Sequence, residues 1–99
     1  MKANPVFYLV TYDVAKNKRR KKLSDLLLEY GVRIQYSVFE CDLSEKDLRN
    51  LEKKAGEIID TSCDSVLFYP LCRNCVTKRV RVGTTYSLIK VKKEFLDIM

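Results

Sequence analysis

The sequence predicts an α+β fold, and three observations support this prediction. Strand-like and helix-like segments alternate in the order strand, helix, strand pair, helix, strand. The chain has 99 residues, enough for one domain. Its content of 46% hydrophobic and 32% charged residues is typical of a globular protein rather than a disordered one. The order of elements is that of the ferredoxin-like β-α-β-β-α-β arrangement.

The first strand and the first helix follow from two apolar patterns. Residues 6–12 are β-branched, aromatic and almost entirely apolar, which predicts a central strand covered on both faces and ending at Asp13. Beyond it, apolar residues at positions i, i+3, i+4 and i+7 predict an amphipathic helix. These residues are Leu23, Leu26, Leu27 and Tyr30. Gly31 is predicted to stop this helix.

The middle of the chain predicts two or three further strands and a second helix. Residues 32–43 contain two β-rich pieces, which form either one bent strand or a tight pair. Ser44 and Asp47 then form a capping-box signature, with Ser44 as the N-cap. The helix that follows places four apolar residues on one face, namely Leu48, Leu51, Ala55 and Ile58. Residues 66–69 predict the last core strand, halted near Pro70.

The predicted sheet has its helices on one face and leaves the other face bare. A bare apolar face on a domain this small needs a cover, and a second copy of the chain is an economical one. Residues 78–82 alternate charge and valine, the pattern of a half-exposed edge strand, and Gly83 breaks it. Residues 84–99 carry too much apolar surface for a solvated tail. We therefore predict a core domain over residues 1–83 and a C-terminal segment that docks on another surface.

Charge is segregated along the chain. The formal net charge is +6, but residues 40–64 carry a net −4 and the remainder a net +10. This segregation predicts one basic face, which is the electrostatic footprint of a surface that binds nucleic acid. The sequence has no apolar run long enough to span a bilayer and no secretory signal pattern. We therefore expect a cytoplasmic protein with no membrane partner and with reduced cysteines.

The cations expected to bind phosphate cluster at the start of the first helix. Residues 16–22 contain six of them, and Arg20, Arg19 and Lys16 fall on the inward stripe of that helix. Cations at a helix start oppose the helix dipole, so folding gives no reason for them, whereas phosphate binding does. A solvated lysine-rich face is the alternative. The nucleic-acid contacts predicted from this run are Lys16, Lys18, Arg19, Arg20 and Lys22.

Asp13 is the acid beside this basic run, and its place at a strand end has two interpretations. It caps the following turn or helix, or it binds a hard cation, Mg²⁺ or in its place Mn²⁺. One carboxylate is a poor metal site, but a two-fold axis would supply a second. The chain contains no histidine, which excludes Ser-His and Cys-His nucleophiles. Phosphodiester hydrolysis here would therefore rely on metal-activated water and on arginines.

Cys72 and Cys75 form a Cys-x-x-Cys motif that also has two interpretations. The spacing suits a zinc site or a redox pair. A structural zinc site needs four ligands, however, and the remaining cysteines, Cys41 and Cys63, lie singly in other elements. Ordinary cysteines in a turn are the alternative.

Three segments together resemble a known family. They are Tyr-Asp-Val at residues 12–14, the basic run that follows, and Gly-Val-Arg-Ile-Gln-Tyr-Ser-Val-Phe-Glu at residues 31–40. Residues 64–72 resemble the last core strand of the same family. Over about residues 6–83 the chain is similar to the small CRISPR-associated adaptation endonucleases, the second core CRISPR-associated protein (Cas-two).

The resemblance implies a ferredoxin-like homodimer in which an extra C-terminal strand crosses onto the partner subunit's sheet. It implies a Mg²⁺-dependent endonuclease that cleaves RNA or DNA and acts in spacer acquisition with the CRISPR integrase. Asp13 is implied as the metal ligand, paired with its mate across the dimer axis. The catalytic residues implied by position are Asp13, Tyr12, Arg20, Arg33 and Phe39. Further nucleic-acid contacts are implied at Arg33 and Ser37. Many relatives carry more acids just after the Tyr-Asp motif, where this chain has Ala-Lys-Asn.

Two functions therefore compete. The first is a metal-dependent endonuclease, and the second is a non-catalytic dimeric scaffold that binds duplex DNA and bridges the integrase. A regulatory domain of the same fold that binds amino acids is disfavoured by the basic run. The same arginines serve the first two functions, and backbone contacts carry no sequence information, so the residues do not separate RNA from DNA.

Overall fold

Residues 5–83, the part of the chain that a computed structural model describes, form one antiparallel sheet with helices packed against it. The strands are β1 (Val6–Asp13), β2 (Gly31–Gln35), β3 (Val38–Leu43) and β4 (Ser65–Leu71). The helices are α1 (Asn17–Leu28), α2 (Glu45–Ile58) and α3 (Arg73–Thr77). The sheet order is β2-β3-β1-β4, with every neighbouring pair antiparallel. This arrangement confirms the predicted ferredoxin-like α+β fold, and the strand pair predicted over residues 32–43 is the β2–β3 hairpin.

The core lies between one face of the sheet and the two long helices. Alternate residues of β1, Val10 and Tyr12, are buried together with Phe39 of β3 and with Leu27 and Leu51 of the helices. Side chains along a strand alternate between faces, so the intervening residues point away from the helices. On that opposite face three large apolar side chains are about half exposed: Val32 (51%), Leu67 (49%) and Tyr69 (49%). Within the described residues, the predicted bare apolar face is therefore present.

The second helix begins as expected, whereas the first ends earlier than predicted. Ser44 is the N-cap of α2, and its hydroxyl accepts a hydrogen bond from the backbone N–H of Asp47 at 3.1 Å, as the capping signature predicts. Gly31 does not end α1, which stops at Leu28. It lies in β2 instead, where a Cβ atom would come within 2.2 Å of the Glu40 carbonyl oxygen. The close approach of two backbones, not a helix end, requires glycine there.

The end of β4 agrees with the prediction, and the region after it differs. β4 ends at Leu71, one residue beyond Pro70, and as an edge strand it can lack the backbone hydrogen-bond donor that proline does not have. Residues 78–82 are not a strand: no described strand pairs with them, and a strand needs a neighbour for its ladder. Between these segments lies α3, where the sequence predicted only a turn. The predicted C-terminal segment, residues 84–99, lies outside the described residues.

Candidate nucleic-acid interface

Tyr12 and Asp13 end β1 on opposite faces of the sheet. Tyr12 is 8% exposed, packs on Phe39 with 6.3 Å between ring centroids, and donates its hydroxyl hydrogen to the Tyr36 carbonyl oxygen at 3.0 Å. Asp13 is exposed, and its carboxylate forms no hydrogen bond or ion pair with another described residue. The N-cap of α1 is Lys16, with no side-chain hydrogen bond. The capping interpretation of Asp13 therefore has no support within residues 5–83.

An open cleft of about 490 Å³ lies on the helix side of the sheet, between the start of α1 and the β2–β3 turn. It brings together four of the predicted site residues, Tyr12, Arg20, Arg33 and Ser37. Four further residues that the sequence reasoning did not single out complete its lining, namely Asn17, Lys21, Ser24 and Tyr36. Asp13 is not among the lining residues, because it points to the other face.

Arg20 stabilises the loop between β1 and α1 through hydrogen bonds. Its Nη1 donates hydrogen bonds to the carbonyl oxygens of Val14 at 2.7 Å and Ala15 at 3.2 Å, and its Nη2 donates to Asn17 Oδ1. The side chain is half-buried at the edge of the cleft. A cation held in this way presents its charge to the cleft without the entropy cost of ordering a free side chain.

Arg33 supplies a second cation to the same cleft. Its guanidinium carbon lies 5.2 Å from the centroid of the Phe39 ring, a cation–π contact. Phe39 itself is fully buried, so its ring packs beneath the Arg33 guanidinium and does not reach the cleft surface. The catalytic role predicted for Phe39 stays a prediction, and the structure places the ring in the core.

Arg19 has an intramolecular partner that the sequence reasoning missed. Its Nε lies 2.6 Å from Asp64 Oδ2 and its Nη2 lies 3.2 Å from Asp64 Oδ1. Asp64 also accepts backbone hydrogen bonds from Ala15 at 3.0 Å and from Asp60 at 2.9 Å. Asp64 therefore joins the β1–α1 loop and the start of α1 to the turn before β4. The phosphate contact predicted for Arg19 remains a prediction.

These donors explain the charge state of Asp64, which is only 7% exposed. The hydrogen bond from Arg19 is the largest cause that holds the pKa of Asp64 well below its ordinary value, against the opposing effect of burial. The same contact raises the pKa of Arg19. Both groups are therefore charged at neutral pH, and the loop that carries Asp13 into α1 is anchored by a satisfied ion pair.

The lysines of the basic run lie on the surface. Lys16, Lys18 and Lys22 are all exposed, whereas Arg19 and Arg20 are half-buried. The inward stripe predicted for Lys16 is therefore wrong, because α1 begins only at Asn17 and Lys16 precedes its first turn. The first turn of α1 contains no acidic residue. The start of this helix is thus a surface of positive charge next to the cleft.

A divalent cation has one suitable ligand in this region. Asp13 offers an exposed carboxylate, and a hard cation such as Mg²⁺ needs only one or two carboxylates in addition to water. No group of three or more histidine, cysteine, aspartate or glutamate side chains that could hold a metal occurs in residues 5–83. Asp13 therefore fits such a cation as one ligand, and a complete set needs further oxygens from elsewhere.

Two of the missed residues had a signal in the sequence. Lys21 lies within the basic run, and Tyr36, which is 80% exposed, is an aromatic residue in a predicted hairpin turn beside Arg33. Exposed aromatic residues among cations are typical of single-stranded nucleic-acid surfaces. Asp64 had no such signal, because its partners are distant in sequence.

The fold and the cleft define a class: small ferredoxin-like domains with arginines gathered beside the end of the first strand. Within that class, the model of the CRISPR associated protein Cas2 family matches residues 6–79. The chain belongs to the Cas2 family.

Individual relatives agree with this assignment. The chain is 45% identical over 71 residues to the CRISPR-associated endoribonuclease Cas2 3 of Synechocystis sp., covering 72% of this chain and 77% of the relative. The crystal structure of Streptococcus pyogenes Cas2 is similar with a TM-score of 0.72 and 34% identity, covering 78% of this chain and 99% of that one. A chain of a partial Cas6-RT-Cas1–Cas2 complex is similar with a TM-score of 0.68 and 36% identity, covering 81% of this chain and 88% of that one.

Among the described residues, no helix is both long enough and apolar enough to cross a bilayer.

Proposed function

We propose that this chain is a dimeric endonuclease that depends on a divalent cation, cleaves phosphodiester bonds of RNA or DNA, and acts in CRISPR spacer acquisition. The observation that supports this most directly is the gathering of Arg20 and Arg33 in one cleft at the end of β1, the strand whose last residue is the exposed Asp13 on the opposite face. The name of the Synechocystis relative, an endoribonuclease, supports the same activity.

The arginines bind the phosphate in this proposal. A guanidinium offers two parallel N–H groups to a phosphate, so the two arginines would hold the backbone of the nucleic acid on the helix side of the sheet. Arg20 is fixed by the loop carbonyls and Arg33 by the Phe39 ring. The lysines on the exposed start of α1 extend the contact along the backbone of the nucleic acid.

Asp13 holds the cation, Mg²⁺ or in its place Mn²⁺. When bound, the cation would supply a water whose pKa is lowered toward neutral, a role for which this chain has no histidine base. In a homodimer, Asp13 of each subunit would offer one charged oxygen to it. The anchored β1–α1 loop keeps this carboxylate at the end of β1.

The homodimer forms through the open face of the sheet. Val32, Leu67 and Tyr69 are about half exposed there, and a second copy buries such a face symmetrically. The face is continuous with Asp13, which points to the same side.

A second candidate is a scaffold that clamps duplex DNA and bridges the CRISPR integrase without cutting. Two observations favour it: residues 5–83 contain no cluster of metal-binding side chains, and the lysines of α1 form an exposed basic surface. A similar structure is named as part of a complex with Cas1. The integrase is a partner in both candidates.

A cleavage panel separates the two candidates. Labelled single-stranded RNA, single-stranded DNA and duplex DNA are incubated with the protein in Mg²⁺, in Mn²⁺, and in EDTA followed by restored Mg²⁺. The endonuclease proposal expects cleavage of at least one substrate that EDTA stops and Mg²⁺ restores. Salt-sensitive duplex binding with no cleavage under any metal would reject the nuclease and leave the scaffold. Cleavage that EDTA does not affect would reject the metal mechanism.

A further inference from the structure

The thiol groups of Cys72 and Cys75 are in direct contact. Their sulfur atoms lie 3.1 Å apart, and the backbone N–H of Cys75 donates a hydrogen bond to Cys72 Sγ at 3.3 Å. Both side chains are free thiols and exposed. A disulfide bond is about 2.0 Å long, so closing this pair requires the sulfurs to move by about 1 Å. The contact uses two thiols of one subunit and no residue of the cleft.

From this geometry we propose that Cys72 and Cys75 form a reversible intramolecular disulfide, a redox modification site at the point where the chain leaves the sheet. The pair lies in the first turn of α3, with Cys72 as the N-cap, and this turn is fixed on both sides. Arg73 donates a hydrogen bond to the Pro5 carbonyl oxygen at 3.3 Å, beside the start of β1, and Arg79 forms a 2.8 Å ion pair with Glu40 of β3. The fold, and not only the spacing in sequence, thus brings the two sulfurs together.

The other two cysteines, Cys41 and Cys63, are less suited to disulfide formation than this pair. Cys41 is fully buried, and burial raises the pKa of Cys41 to about 11. Burial and the neighbouring Asp64 raise the pKa of Cys63. The contact with Cys75 instead lowers the pKa of Cys72, and the same contact raises the pKa of Cys75. Since a thiolate is the nucleophile in disulfide exchange, Cys72 is the attacking residue and Cys75 the resolving one.

The oxidant is a small-molecule disulfide, such as oxidised glutathione. The Cys72 thiolate attacks one of its sulfurs, the S–S bond of the oxidant breaks, and one thiolate leaves. Cys75 loses its proton to solvent and attacks the sulfur of Cys72, which breaks the mixed disulfide and releases the second thiolate. The two protein thiols lose two electrons and two protons, and the oxidant gains both electrons. Excess thiol reverses both steps.

The test uses the full-length protein equilibrated in buffers of stepped ratio of reduced to oxidised glutathione, quenched by alkylation and analysed by mass. The proposal expects the mass of a single chain, with no disulfide between subunits, to fall by two hydrogens in one step, with Cys72 and Cys75 protected from alkylation together. Trypsin cuts after Lys54, Arg73 and Lys78, so a non-reduced digest should contain residues 55–73 linked to residues 74–78. A Cys63→Ser variant removes the second cysteine of the longer peptide and should keep the link, whereas Cys75→Ser should lose it.

A comparison with the unfolded chain tests whether the fold forms the pair. In urea, the oxidation midpoint should require a glutathione ratio about tenfold more oxidising than in the folded protein, because the turn is no longer held. Alkylation of both cysteines throughout the series, glutathione adducts alone, or a link that needs Cys63 would overturn the proposal. Equal midpoints for the folded and unfolded chain would overturn it as well. None of these outcomes depends on nuclease activity.

Discussion

Arg19 and Asp64 are 45 residues apart in sequence and form a two-point ion pair, with Nε–Oδ2 and Nη2–Oδ1 distances of 2.6 and 3.2 Å. The Arg19 side chain is 23% exposed and the Asp64 side chain is fully buried. Because Asp64 also accepts the N–H groups of Ala15 and Asp60, it joins three segments: the loop after β1, the start of α1 and the turn before β4. The end of β1, where the proposed cation ligand lies, is held by this junction.

Asp64→Asn should destabilise the protein more than the loss of any exposed ion pair. The substitution removes the buried charge that satisfies Arg19, whereas an exposed pair contributes little. Glu45→Gln, which breaks the exposed pair with Arg49 on α2, is the matched control. In urea unfolding, the midpoint should fall clearly for Asp64→Asn and hardly at all for Glu45→Gln. Equal midpoints for the two variants would contradict the structural role of Asp64.

The same ion pair gives stability a specific pH dependence. The pKa of Asp64 is lower in the folded protein than its value of about 3.9 in the unfolded chain. A depressed pKa contributes stability that is full above the unfolded value and is lost as pH falls through the folded value. The difference in unfolding free energy between wild type and Asp64→Asn should therefore be constant from pH 7 to about pH 5 and shrink below about pH 4. A difference that stays constant to pH 3 would exclude this linkage.

Two glycine substitutions should have opposite effects. Gly31→Ala forces a Cβ to within 2.2 Å of the Glu40 carbonyl oxygen and should lower the free energy of unfolding by about 1–3 kcal/mol. Gly56→Ala on α2 meets no atom within 4 Å and should raise it by roughly 0.5–1 kcal/mol, because alanine favours the helix. Denaturant titration measures both, and a harmless Gly31→Ala would mean that β2 and β3 are not packed this closely.

The lysines of α1 should contribute to nucleic-acid affinity through charge alone. Lys18→Ala with Lys22→Ala should weaken binding equally for unrelated sequences. On duplex DNA, the slope of log affinity against log salt should become shallower by about 0.9 for each phosphate that the variant no longer neutralises. Lys46→Ala with Lys53→Ala on α2 changes net charge by the same amount and serves as the control. Identical salt slopes for the two double variants would place the binding surface away from α1.

The open sheet face should carry the dimer contact. Leu67→Lys places a charge on that face and should convert the dimer to a monomer, as measured by light scattering at micromolar concentration. Leu28→Lys is the control, because Leu28 is exposed to a similar extent, 45% against 49%, but belongs to α1. A wild-type monomer, or dimers that survive Leu67→Lys, would contradict an interface on this face.

Much of the fold could be predicted because its signals are local. The run of β-branched and aromatic residues in β1, the apolar stripe of α2 and the Ser44 cap are each properties of neighbouring residues. The corrections concern properties that depend on tertiary neighbours. Gly31 lies in β2 because two backbones approach closely there, and residues 78–82 lack a described strand to pair with.

The candidate site also has parts that local patterns predict and parts that depend on tertiary packing. Arg20 and the basic run followed from sequence patterns, and Arg33 from the family resemblance. The two-residue period of a strand places Tyr12 and Asp13 on opposite faces, so only Tyr12 lines the cleft with the arginines. The pairing of Arg19 with Asp64 was not predictable from charge patterns, since any of several acids in the chain is an equally good partner on sequence alone. Only the packing of α1 beside the turn before β4 selects it.

The most direct test of the account is cleavage by an Asp13→Asn variant purified in parallel with wild type. Asparagine keeps the size of the side chain and removes the charge that would hold the cation. Glu52→Gln, an exposed carboxylate on α2, is the matched control. On the substrate that wild type cuts, Asp13→Asn should bind with unchanged or higher affinity, since a negative charge is gone, and should cut at least about a hundredfold more slowly in Mg²⁺. Asp13→Asn that cuts at the wild-type rate, with the same dependence on Mg²⁺, would place the chemistry elsewhere.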